Sequence, residues 1–144
     1  MTALTDAVKD EIQTAYRTWL AARDFKPRRG QRQMIAQIAR SLSADEDRIA
    51  VVEAGTGTGK TAAYCLAAIP LAQSLNKTIV LSTATVALQE QVILQDLPDI
   101  QERAGLKFSL TLAKGRGRYL CLKRLDDHLK LSLIHISEPT RQSP

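Results

Sequence analysis

The sequence predicts an α/β domain in which helices flank a parallel sheet. Short apolar runs alternate with longer segments whose apolar residues recur at helical spacing. A glycine-rich segment directly follows the first apolar run and directly precedes a helix. Strands that alternate with helices indicate a parallel sheet, whose strands are buried on both faces and so are apolar throughout. The chain has 144 residues, 44% of them hydrophobic, which is enough for one globular domain with a core.

Two helices are predicted ahead of the first strand. In residues 5–23 the apolar residues return every three or four positions, and the Pro and Gly of residues 25–30 end that pattern. A second helix is predicted for residues 31–42, with its apolar residues on one face. Both helices therefore have a face that can cover a core.

Three buried strands are predicted, at residues 49–52, 77–82 and 107–112. Helices are expected between them, at residues 61–75 and 86–94, and Pro98 is expected to interrupt the second of these. The order strand, helix, strand, helix, strand completes the α/β prediction, and no internal repeat is found.

Positive charge is concentrated in two stretches of a chain whose net charge is +5 and whose pI is about 9.5. The first stretch spans residues 23–32, and the second spans residues 103–130 with eight Lys or Arg against two acids. Such clusters favour polyphosphate partners, either a nucleotide or a nucleic acid. A solvated basic surface is the alternative that charge alone leaves open.

Membrane and secretory classes are excluded on simple grounds. No apolar run approaches the ~20 residues that a membrane-spanning helix needs, and the polar N-terminus does not have the pattern of a signal peptide. Two cysteines, Cys65 and Cys121, do not indicate a disulfide framework. A cytoplasmic location without membrane association is therefore expected.

The glycine-rich segment matches a nucleotide-binding phosphate loop except at its first position, where alanine replaces glycine. We expect the nucleotide to contact all eight of its residues: Ala54, Gly55, Thr56, Gly57, Thr58, Gly59, Lys60 and Thr61. Glycines let the backbone curl so that its N–H groups point at phosphate oxygens, and the N-terminus of the next helix adds partial positive charge.

Two side chains of this loop carry the predicted chemistry. Lys60 supplies a full positive charge to the β- and γ-phosphates, and the Thr61 hydroxyl can ligate the Mg²⁺ that bridges them. Phosphoryl transfer relies on positioning and charge stabilisation, so both are predicted as catalytic residues. The loop alone does not separate a kinase, a GTPase, a transporter ATPase or a helicase.

The chain resembles the DinG-type, XPD-like branch of the superfamily 2 DNA helicases, between about Phe25 and Leu125. The resemblance is carried by four segments in order: residues 27–34 with Gln31, the phosphate loop in its alanine form, residues 81–91, and residues 114–121 ending in Cys121. It implies a P-loop NTPase (RecA-like) fold, truncated within the first motor domain.

The resemblance also implies cofactors, partners and roles. Gln31 would recognise adenine, because an amide offers one donor and one acceptor to the base edge. Residues 81–91, which are rich in hydroxyl side chains, would hold nucleic-acid phosphates. Alternatively, Thr83 or Thr85 can simply cap a helix. Cys121 would be the first of four thiolates of a [4Fe–4S] cluster in the intact protein; Cys65 is expected to be a core residue.

We therefore expect an ATP- and Mg²⁺-dependent DNA helicase that moves 5′ to 3′ on single-stranded DNA, works as a monomer, and is represented here by a fragment that is inactive alone. No Asp-Glu-Ala-His-like segment is found, and it is expected downstream. Two alternatives stay open: another P-loop enzyme such as a nucleotide kinase, and a non-enzymatic nucleic-acid-binding module that uses the basic residues 114–130.

The predicted organisation has four parts. They are an N-terminal helix (1–24), a partial motor domain (25–113), the start of the iron–sulfur insertion (114–130) and a non-native tail (131–144). Residues 131–141 read LSLIHISEPTR, which resembles a translated transposase-end sequencing adapter, with a genuine C-terminus as the alternative.

Overall fold

The computed structural model describes residues 4–46 and 48–136. The chain divides into two compact units, the first reaching to Leu110 and the second beginning at Thr111. The first unit contains five α-helices among its described residues: α1 (Asp6–Ala22), α2 (Arg29–Ser43), α3 (Lys60–Ser74), α4 (Val86–Gln91) and α5 (Leu97–Ala104). Across the described part of the chain, no helix combines the length and the apolar character needed to cross a membrane.

Helix α1 packs its apolar face onto α3 and α5. Thr5 begins the helix, since its side-chain oxygen accepts a hydrogen bond from the Val8 amide at 3.4 Å. One polar link also joins α1 to α5, because Trp19 Nε1 donates to Asp99 Oδ2 at 2.7 Å. The carboxylate of Asp99 also pairs with Arg23 and Arg103. The predicted helix at residues 5–23 is confirmed, with its apolar positions in the core.

Helix α3 is the centre of the first unit. It packs against α1, α2 and α5, and residues on several sides of it are buried, including Leu66, which is fully buried, and Pro70. A helix that is apolar almost all round needs cover on every side. Its bounds agree with the predicted helix at residues 61–75 to within one residue, and α2 likewise extends the predicted helix at 31–42 slightly at both ends.

The prediction that Pro98 interrupts the fourth helix is wrong. After α4 the chain continues through a π-helical turn (Val92–Asp96) directly into α5. Pro98 lies in the first turn of α5, where a missing backbone N–H is tolerated. Gly105 then ends α5 in the left-handed conformation, with φ 70°.

The predicted parallel sheet is not seen, because the described residues contain no strand. Residues 49–52, 77–82 and 107–112 carry neither helix nor strand. The expected burial is also wrong for the first two segments, since the side chains of Val51 and Val80 are 94% and 87% exposed. A strand buried on both faces needs neighbouring strands and covering layers, and these segments lack that cover.

The second unit consists of a short 3-10 turn (Arg116–Arg118) and helix α6 (Leu122–Ile136). Within α6, Lys130 Nζ pairs with Asp126 Oδ2 at 2.6 Å. The helix runs without a break past Lys130, where the natural sequence was expected to end. Residues 137–144 of the expected tail lie outside the described residues.

Candidate nucleotide-binding site

The predicted phosphate loop leads directly into the central helix. Gly57 and Gly59 have positive φ values of 75° and 74°, which side chains with a Cβ adopt only with strain. Gly59 is the N-cap of α3, so the first helical residue is Lys60. The N-terminus of a long helix therefore lies where the sequence predicts that phosphate binds.

Hydrogen bonds within the loop close it on itself. Thr58 Oγ1 donates to the carbonyl oxygen of Gly55 at 2.8 Å. The Lys60 ammonium donates to the carbonyl oxygens of Ala54 at 2.7 Å and of Gly55 at 2.9 Å. The lysine charge is thus held over the first half of the loop, and these two carbonyl contacts are what an incoming phosphate would replace.

Two side chains from the start of α2 support the loop from outside. Arg28 Nη1 donates to the carbonyl oxygen of Gly57 at 2.6 Å, and Gln31 Nε2 donates to that of Gly59 at 3.2 Å. Both contacts therefore fall on the two glycines with left-handed backbone. The sequence did not assign this role to Arg28, although Arg28 lies in a segment that it singled out.

Gln31 is buried, whereas Arg28 is exposed. Gln31 is 5% exposed, and its Oε1 accepts a hydrogen bond from the hydroxyl of Tyr16 at 3.0 Å. Both ends of the amide are therefore engaged by protein groups. Recognition of adenine by Gln31 stays a prediction. No sequence signal links Tyr16 to Gln31, because they lie on different helices and Tyr16 fits the apolar spacing of α1.

Thr61 is half-buried in the first turn of α3, with Tyr64 and Asp96 as neighbours. Burial raises the pKa of Tyr64 and of Asp96 above their ordinary values. Polar contacts offset part of each rise in pKa, with Thr61 for Tyr64 and chiefly with Gln91 for Asp96. The carboxyl group of Asp96 therefore lies near Thr61, the predicted Mg²⁺ ligand. Asp96 belongs to the π-helical turn, and the sequence had not singled it out.

An open cleft of about 1630 Å³ lies beside the loop. Its walls come from α1 and α2 and from loop-side residues that include Glu53, Ala54 and Thr58. Of the phosphate-loop residues, Ala54 and Thr58 line this cleft, whereas Lys60 and Thr61 do not.

The segment at residues 81–91 has the capping role that its sequence allowed. Thr85 is the N-cap of α4, and its Oγ1 accepts a hydrogen bond from the amide of Leu88 at 3.2 Å. The hydroxyl of Thr83 donates to the carbonyl oxygen of Thr85 at 3.2 Å. Phosphate binding by these hydroxyls stays a prediction.

The two cysteines differ in environment. Cys65 is buried in α3, and burial raises the pKa of its thiol to about 12, as expected for a core residue. Cys121 is exposed in the second unit. Among the residues the structure describes, no three His, Cys, Asp or Glu side chains are grouped to hold a metal ion. The described residues therefore do not form an iron–sulfur site.

Comparison with known protein families matches residues 28–141 to the DEAD/DEAH box helicase family. The match covers most of the chain and includes the α2 segment and the phosphate loop. The chain belongs to this family, which has the P-loop NTPase fold.

Curated relatives include proteins named ATP-dependent DNA helicase DinG. Those of Salmonella choleraesuis and Escherichia coli strain K12 are 44% and 43% identical over 142 residues, which is 97% of this chain and 19% of each relative. That of Photobacterium profundum is 44% identical over 127 residues, covering 85% of this chain and 18% of the relative. The chain thus spans about a fifth of their length. These matches place no boundary at Lys130, since the family match ends at residue 141.

Proposed function

We propose that this chain is the ATP-binding part of the first motor domain of an ATP-dependent DNA helicase. The observation that carries the proposal is the phosphate loop, whose two left-handed glycines lead into α3 with Lys60 and Thr61 in its first turn. The names of the relatives supply the helicase assignment, and the family supplies the nucleotide-binding fold. A nucleotide kinase is disfavoured by the same family match.

The residues present fit Mg·ATP. The triphosphate would lie against the loop N–H groups and the N-terminus of α3, with the Lys60 ammonium transferred from two loop carbonyls to phosphate oxygens. Thr61 would ligate Mg²⁺, which neutralises charge on the phosphates. Arg28 and Gln31 would keep the loop in shape.

The sheet of the motor domain belongs to the longer protein in this proposal. Residues 49–52, 77–82 and 107–112 would become its strands once neighbouring strands from further sequence cover their apolar side chains. Exposed Val51 and Val80 support this, since large apolar side chains on strand-like segments are normally buried. The longer protein would also supply the residues that activate water.

The DNA-related properties are proposed for the longer protein as well. We propose single-stranded DNA as its partner, 5′-to-3′ movement, a monomeric and cytoplasmic state, and a [4Fe–4S] cluster with Cys121 as one thiolate. The basic residues of 114–130 support a site for the DNA backbone. A binding module without enzymatic activity would use the same basic residues, and salt-dependent DNA binding that persists after Lys60→Ala would favour it.

Calorimetric titration of the 144-residue chain with Mg·ATP tests the proposal. We expect weak but measurable binding that Lys60→Ala reduces by at least about tenfold, because a hydrogen-bonded charge contributes roughly 1.5–3 kcal/mol. We expect negligible ATP hydrolysis with or without single-stranded DNA. Equal affinity in the wild type and Lys60→Ala contradicts the site, and DNA-stimulated hydrolysis by the chain alone contradicts its inactivity.

A further inference from the structure

A hydrogen-bonded relay joins helix α1 to the end of the phosphate loop. The hydroxyl of Tyr16 donates to Gln31 Oε1 at 3.0 Å, and Gln31 Nε2 donates to the carbonyl oxygen of Gly59 at 3.2 Å. The relay thus links a residue of α1, a residue of α2 and the N-cap of α3. Gly59 directly precedes Lys60, so the relay ends one residue before the predicted phosphate-binding lysine.

Burial fixes the orientation of the Gln31 amide within this relay. Tyr16 and Gln31 are 7% and 5% exposed, and no buried side-chain polar atom within the described residues lacks a partner. A buried polar group without a partner costs free energy, so the amide is held in the orientation that satisfies both ends. Flipping it would face Oε1 toward the Gly59 carbonyl oxygen, and two acceptors repel.

The relay acts on a loop position that only glycine can occupy without strain. Gly59 has φ 74°, and a Cβ added there would lie 2.5 Å from Gln31 Nε2. The amide of Gln31 therefore occupies the space beside Gly59 and also bonds its carbonyl. Loss of the amide, or of the hydroxyl that orients it, frees the residue whose conformation sets the start of α3.

We propose that Tyr16 is a positioning residue for the phosphate loop, acting through Gln31, and that the pair strengthens binding of the triphosphate itself. This inference rests on the proposed nucleotide binding at the loop. The effect on the triphosphate follows from geometry, because the amide of Gln31 bonds the carbonyl oxygen of Gly59, one residue before Lys60. A role limited to reading adenine would instead leave the affinity for inorganic triphosphate unchanged.

Three probes separate these roles: ATP, GTP and inorganic triphosphate, each titrated with Mg²⁺ into the 144-residue chain by calorimetry. We expect Tyr16→Phe, which removes only the hydroxyl, to weaken all three by a similar factor of about three to ten, the equivalent of one buried hydrogen bond. We expect Gln31→Met to weaken all three at least as much. The double variant should be no weaker than Gln31→Met, because Tyr16 acts through Gln31.

Trp19→Phe is the matched control. It lies one turn further along the same buried face of α1 and also loses a side-chain hydrogen bond, but to Asp99 in α5. Thermal unfolding followed by circular dichroism should show a lower Tm for Trp19→Phe, with unchanged affinity for the three probes. If Tyr16→Phe does not fold, Gln31→Met carries the same comparison of probes.

The outcomes separate the inference from the proposed function. If the wild type binds none of the probes, the proposed site is wrong and the inference is wrong with it. If the wild type binds ATP and Lys60→Ala does not, the site stands. The inference is then overturned by unchanged affinity in Tyr16→Phe, by loss of ATP affinity with triphosphate affinity unchanged, or by an equal loss in Trp19→Phe.

Discussion

The first unit contains two kinds of backbone that meet at the phosphate loop. From Gly57 onward the chain is held by Arg28, by Gln31 and by the central helix α3, whereas residues 49–52, just before the loop, expose Val51 almost completely. Residues 77–82, which follow α3, behave like the first segment. The end of the loop that leads into α3 is thus held by hydrogen bonds, whereas the segment that precedes the loop has no apolar cover.

The difference comes from how each kind of backbone satisfies its hydrogen bonds. A helix pairs most of its N–H groups with carbonyls four residues earlier, so most hydrogen bonds of α3 form within one short stretch of sequence. A parallel strand pairs only with strands distant in sequence, and burial of its faces needs further layers. The described residues contain the helices and no strand.

Core substitution should show the largest contrast between the two kinds of backbone. Leu66→Ala removes a fully buried side chain of α3 and is expected to lower the free energy of unfolding by about 2–5 kcal/mol. Val80→Ala, at an apolar position that is 87% exposed, should change it by less than about 0.5 kcal/mol. Urea denaturation followed by circular dichroism measures both. A cost for Val80→Ala close to that of Leu66→Ala would mean that residues 77–82 are covered.

Within the loop, two glycines provide a smaller contrast. Gly59→Ala places a Cβ against Gln31 Nε2 at φ 74°, and this strain is expected to cost about 1–3 kcal/mol. Gly55→Ala meets open space, its φ is not in the left-handed range, and its effect should stay below about 1 kcal/mol. The same denaturation experiment compares them. Equal costs at the two positions would show that the α2 side of the loop is not the constrained one.

The helical half of the domain followed from local sequence signals. The apolar spacing predicted α1, α2 and α3, and the glycines before Lys60 predicted where α3 begins. The Tyr16–Gln31 bond could not be predicted, because it depends on how α1 and α2 pack. The strands were predicted from short apolar runs and their alternation with helices, and such runs do not reveal whether neighbouring strands pair with them. Pro98 was misjudged because its effect depends on its place in the helix.

The cysteines give the smallest effect, on reactivity rather than stability. At pH 8, iodoacetamide should modify exposed Cys121 in the folded chain and reach Cys65 only after unfolding, since the thiolate is the reactive form. Mass spectrometry counts the labels, with chain in urea as the control. Rapid modification of Cys65 in the folded chain would contradict the packing of α3.

The raised pKa of the buried Cys65 thiol also sets how the stability of the fold depends on pH. In the folded chain the pKa of Cys65 rises from its ordinary value of 9.0 to about 12. The neutral thiol is therefore favoured by folding, so its contribution is complete below pH 9 and declines as the pH rises from 9 toward 12. Cys65→Ala should flatten that alkaline decline in urea denaturation.

The central claim is that the helices are ordered while the strand-like segments are not. Hydrogen exchange tests it most directly, since it measures the protection of backbone amides in each segment separately. In the 144-residue chain we expect slow exchange in Lys60–Ser74, fast exchange in residues 49–52 and 77–82, and slower exchange of residues 55–61 once Mg·ATP is added. Protection of residues 49–52 and 77–82 equal to that of α3 would contradict the account. It would mean that the chain forms its sheet without the rest of the protein.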